Sequence, residues 1–195
     1  MNRFAILSVL VLMVVGCYNA SSYSGDGTLT DNGYSSAIDR YVLDLEAVEI
    51  GSQYENQYRL KGLPSEEFTI GLRIRSGEPI EIVKDSGMLT GSFELELVRD
   101  SGEVVISEIG DLSEWVWSYC SGCTDGFIYR RGEQAEERLA SGGIHLRKIG
   151  ERIDAGWGTY ITPDPEQTYL LTVRLNAESS MPISAAVTAK TGGWK

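Results

Sequence analysis

The sequence predicts an all-β fold, an antiparallel β-sandwich of the Ig-like or jelly-roll kind. Two observations lead there. Apolar and polar residues alternate with a period of two through most of the chain. Turn residues separate these runs at intervals of roughly 8–12 residues, the spacing of short sandwich strands.

Taken in order, Tyr41–Ile50 reads as the first strand of the body. Ile38, Val42, Leu45 and Val48 also fit a helix, but the Tyr-Val-Leu start favours a strand. Tyr58–Lys61 follows. Phe68, Ile70, Leu72 and Ile74 then alternate with Thr69, Gly71, Arg73 and Arg75, a strand with one wet face. Ile80–Val83 reads as a further strand. Phe93, Leu95 and Leu97 alternate with Glu94 and Glu96, and Asp100-Ser101-Gly102 turns the chain into Val104-Val105-Ile106 as a hairpin. Trp115–Tyr119, Phe127–Tyr129 and His145–Ile149 read as short strands. Gln134–Ala140, bounded by Gly132 and Gly142-Gly143, is the best short helix. Tyr169, Leu171, Val173 and Leu175 mark a late strand, and Ile183, Ala185 and Val187 share one face of the last.

Composition narrows the function classes. The chain has 195 residues, enough for one domain with a real core, and 42% of them are hydrophobic, which excludes wholesale disorder. Its 17 basic and 28 acidic side chains give a net charge of −11, poorly suited to nucleic acid. A single histidine disfavours a Ser-His-Asp hydrolase or a multi-histidine metal centre, so no metal or other cofactor is expected.

The strongest local signal is at the start. Met1-Asn2-Arg3 is a short basic region, and Phe4–Val15 is apolar apart from Ser8. Such a run makes about 18 Å of helix, short of a bilayer core of about 30 Å, and reads as an export signal. It ends in Val14-Val15-Gly16-Cys17, which resembles the lipobox of bacterial lipoproteins. The resemblance implies cleavage after Gly16, with residues 1–16 as signal peptide. It also implies a diacylglycerol thioether and an acylated amino group on Cys17. Tyr18 after the cysteine, in place of Asp, resembles the default pattern for the outer membrane facing the periplasm. Several acyl chains anchor stably, since each buried methylene contributes about 0.8 kcal/mol.

Residues 17–36 are rich in Ser, Gly, Asp and Asn and read as a lipidated, flexible tether with a root-mean-square reach of about 25 Å. Asp26, Asp31 and Asn32 within it lack the ligand spacing of an EF-hand. The sandwich domain then spans residues 37–195. Its late Tyr-x-Leu-x-Val-x-Leu strand and closing small-residue strand are similar to lipoprotein-borne β-sandwich domains of unknown function, a resemblance that implies no site residue.

Five further features bear on chemistry. Cys120-Ser121-Gly122-Cys123 suits a local disulfide in an exported chain; redox exchange, free thiols and a metal site are the alternatives. Trp115, Trp117 and Tyr119 form a stripe that is either core or, if exposed, a tentative binding platform for sugar rings or an apolar partner. Asp164 and Glu166 flank Pro165 in what reads as a turn, while Trp157 and Trp194 read as loop packing. His145 reads as a wet-face strand residue. With no nucleophile–base constellation, the expected function is a non-enzymatic binding or inhibitor-like module for an envelope protein or glycan. The alternatives are a carboxylate-dependent glycan hydrolase and a thiol–disulfide exchanger.

Overall fold

A computed structural model describes residues 22–33, 39–130 and 160–191. Among them the elements run β1 (Thr28–Asp31), β2 (Tyr41–Val48), β3 (Gln53–Lys61), β4 (Phe68–Ser76), α1 (Ile80–Asp85), β5 (Leu89–Arg99), β6 (Val104–Asp111), a 3-10 turn (Leu112–Glu114), β7 (Val116–Tyr119), β8 (Asp125–Tyr129), β9 (Tyr160–Ile161), β10 (Thr168–Ser179) and β11 (Ile183–Thr191). They form two packed antiparallel sheets. The larger has the order β1-β2-β11-β4-β8-β7, with β9 also paired to β4, and the smaller β3-β10-β5-β6.

The alternating runs put one residue in two between the sheets. Leu72, Ile74, Phe93, Leu97, Leu171, Val173 and Val187 are fully buried there. The hairpin over Asp100–Glu103 joins β5 to β6, with a bulge after Leu97. The two last strands lie inside their sheets: β10 pairs with β3 and β5, and β11 with β2 and β4.

Two readings are corrected. Ile80–Val83 is not a strand but the core of α1, which links β4 of one sheet to β5 of the other. Ile80 and Val83 are buried while Ile82 is 46% exposed, the i, i+3 pattern of a helix. Four residues with Ile at 80 and 82 fit both periods, so sequence could not separate them. The segment read as flexible tether also carries structure. The Ser24 amide donates to the Lys61 carbonyl (2.9 Å) and the Asp26 amide to the Arg59 carbonyl (2.8 Å), along the outer edge of β3. The chain then crosses to the other sheet, where β1 pairs with β2 from Thr28↔Asp44 to Asp31↔Tyr41. Ser22–Asp31 is thus a strap joining the edges of both sheets. Gly27 makes the crossing at φ +83°, and a Cβ there would lie 2.5 Å from the Asp44 carbonyl oxygen.

Cys17, the signal region, the expected helix Gln134–Ala140, the strand His145–Ile149, Trp157 and Trp194 lie outside the described residues.

Candidate functional site

On the outer face of the larger sheet, β11 runs between β2 and β4 and points Ser184, Ala186 and Thr188 outward. On the β4 side Arg75 and Arg73 stand in register with Ser184 and Ala186, and on the β2 side Asp44 and Glu46 line it together with Ala47. Small residues flanked by long ones leave a trough of about 260 Å³ lined by Asp44, Glu46, Arg73, Arg75, Ser184 and Ala186, among others. One wall is cationic and the other anionic.

A bulge in β2 sets the anionic wall. Ala186 pairs with Ala47 and Thr188 with Asp44, so Leu45 and Glu46 together oppose Val187. The extra residue carries Glu46 to the edge of the sandwich, beyond the stretch of β2 covered by β1. There Glu46 Oε2 accepts from Asn56 Nδ2 (2.7 Å), Tyr54 Oη (3.1 Å) and Tyr58 Oη (3.2 Å), all on β3 of the opposite sheet. The two tyrosine hydroxyls also bond each other. These hydrogen bonds, Asn56 first, hold the Glu46 carboxyl below its ordinary value, while burial pushes both tyrosines up. Asp44 is engaged too, by Arg73 Nη2 (3.0 Å) and the Thr188 hydroxyl (3.2 Å). On the cationic wall Arg75 Nε bonds Asp125 (2.9 Å) at the surface. Further along this face the Lys190 amine stands 4.5 Å from the Phe127 ring centre and 3.2 Å from Asp39. Burial lowers its pKa and Asp39 opposes that shift.

Cys120 and Cys123 form a disulfide with Cα atoms 5.3 Å apart, at the tip of the β7–β8 hairpin. Across so short a loop it contributes about 1–2 kcal/mol. The tip is docked on α1: the Ile80 amide donates to the Cys123 carbonyl (2.8 Å) and the Gly122 amide to Glu81 Oε1 (3.1 Å). The disulfide therefore fixes the contact between an edge hairpin and the crossover helix.

The aromatic stripe turns inward. Trp115 is 3% exposed and packs on Phe93 with ring centres 4.5 Å apart. Trp117 and Tyr119 are half-buried against the core, and Lys84 lies 5.8 Å from the Tyr119 ring centre. Trp115 is therefore removed from the tentative platform, because β7 sits at the sheet edge with this face toward the interior. Asp164 and Glu166 form a turn in which Asp164 Oδ1 accepts from the Glu166 amide (2.9 Å). Asp26, in the strap, accepts from the Arg59 amide (2.6 Å). Among the described residues no group of three metal-ligating side chains converges.

The trough and the Glu46 cluster escaped sequence reading because their members come from strands far apart in the chain. The one available signal was Tyr54-x-Asn56-x-Tyr58, which puts three hydrogen-bonding side chains on one strand face. No known family, curated protein or solved structure matches this chain.

Proposed function

We propose that this chain is a lipid-anchored bacterial envelope protein, held by Cys17 at the outer membrane and facing the periplasm. Its sandwich is a binding or inhibitor-like module for an envelope protein or glycan. The address is supported by the apolar run Phe4–Val15 and the lipobox-like Val14-Val15-Gly16-Cys17. The binding reading is supported by one observation: the trough's carboxylates are already engaged as acceptors. Glu46 is held ionised by three donors, and Asp44 is paired with Arg73. Such groups present fixed charge to a partner. A glycan hydrolase needs one carboxyl that stays protonated to serve as acid, and the shift at Glu46 runs the other way.

Cross-linking in the envelope followed by mass spectrometry tests this. Wild type is expected to capture a specific partner protein or glycan, and Ala186→Trp with Arg73→Glu, which fills the trough and reverses a wall charge, is expected to lose it. Recovery of no specific partner overturns the binding reading. A Cys17 peptide without acyl mass overturns the address.

A further inference from the structure

The strap shortens the leash. If all of residues 18–36 were loose, the domain would roam far from its anchor. Instead the chain is fixed from Ser22, whose carbonyl oxygen lies 2.4 Å from where a Cβ of Gly62 would be, and Ser24, bonded to Lys61. Between Cys17 and Ser22 there are five peptide links, about 18 Å when fully extended. Resting on the lipid-anchor reading, this limit keeps the C-terminal end of β3 within about 18 Å of the anchor, the part of the domain held nearest the bilayer.

That corner has the surface a bilayer requires. Arg59 and Lys61 are exposed on the outer face of the smaller sheet and form no ion pair among the described residues. In register with Arg59 across the next three strands stand Leu170, Val98 and Val104. Leu170 is 41% and Val104 52% exposed, so a row of aliphatic side chains crosses three strands beside two cations. Exposed apolar rows edged by cations fit the interface of an anionic membrane, where each such cation contributes attraction. Asp26 at the Arg59 amide and the Asp100 and Glu103 carboxylates of the β5–β6 turn border the same corner, so the two cations are local features of an otherwise acidic surface.

We infer that the Arg59–Lys61 corner and the Leu170–Val98–Val104 row form a membrane-contact patch that seats the domain on the anionic headgroups around its own anchor. The strands then stand the opposite pole away from the surface, since the twelve residues of β10 span about 36 Å. That far pole carries α1 and the Cys120–Cys123 tip, which therefore face the periplasm.

The test uses lipoprotein extracted from cells and placed in nanodiscs of phosphatidylglycerol and phosphatidylethanolamine with a trace of gadolinium-chelating headgroup lipid. Amide resonances of Arg59–Gly62, Val98–Val104 and Leu170 are expected to be attenuated most, and those of Ile82 and Gly122 least. In Arg59→Glu/Lys61→Glu the seated-to-unseated ratio read from the attenuation at the patch should fall at least about fivefold for each cation lost. Equal attenuation at both poles, stronger attenuation at Gly122, or no response to charge reversal overturns the patch. The mass of the Cys17 peptide separates the two failures: no acyl group defeats the anchor reading, whereas an acylated chain with a flat profile defeats the patch alone.

Discussion

Along its β2/β3 side the sandwich is closed by backbone, and along its β6/β7 side by side chains. On the first, the strap bonds main chain to main chain, first to β3 and then to β2, with Gly27 permitting the crossing. The Glu46–Tyr54–Asn56–Tyr58 cluster continues the seam where the strap ends. On the second, the 3-10 turn brings Leu112 and Trp115 into the core, and Arg130 reaches Glu114 (3.1 Å) and Glu108 (3.7 Å) across the gap. Closure by side chains ties that seam to the hydrophobic core. The strap adds the half-buried Tyr23 and Leu29 to that core but no fully buried side chain, so the backbone-closed seam can open at a smaller cost to the interior.

The largest expected effect tests the core-tied side. Trp115→Ala removes a buried ring packed at a tilt against Phe93 and should cost about 3–5 kcal/mol, read as a lower urea midpoint with the whole domain unfolding together. Loss below about 1 kcal/mol would mean the side is held by its ion pairs instead. Gly27→Val strains the crossing and drives a side chain into the Asp44 carbonyl, for about 1–3 kcal/mol. Here faster amide exchange should be confined to β1 and the outer edges of β2 and β3. Exchange that quickens equally in β10 would erase the distinction between the two seams.

The smallest effect is a pH dependence of the backbone seam. The folded value of Glu46 lies below its ordinary 4.5, so its contribution is fully present above 4.5 and is lost as pH falls through the folded value. Glu46→Gln should flatten the acid limb of stability below about pH 4.5 while leaving neutral pH less affected. Parallel acid limbs in wild type and variant would show that the cluster does not couple the sheets.

What could be read in advance follows the same division. The interior strands β5 and β10, between the two seams, announced themselves, because Phe93, Leu95 and Leu97 or Leu171, Val173 and Leu175 each bury a side chain at every second position. The Cys120–Cys123 bridge was legible because its ends are three residues apart. β1 was not. Thr28-Leu29-Thr30-Asp31 buries little, and its stability comes from backbone hydrogen bonds that every sequence can make. Glu46 reached its tyrosines only through a bulge, which shifts facing by one residue and leaves no compositional mark.

The placement of β10 and β11 has a consequence for the order of events in synthesis. Each is an interior strand of its own sheet, yet they come last among the strands of the described residues. β10 pairs with β3 over separations such as Gln57 to Thr172, and β11 with β2 over Val42 to Lys190. Until Thr168 onward exists, the smaller sheet is split between β3 and the β5–β6 hairpin, and β2 has no route to β4. The nascent chain therefore waits, with its apolar strand faces open, for Thr168–Thr191, and because most of its pairings are distant, with β1–β2, β5–β6 and β7–β8 the local ones, slow folding is expected. A truncation before Thr168 would divide both sheets rather than trim one edge.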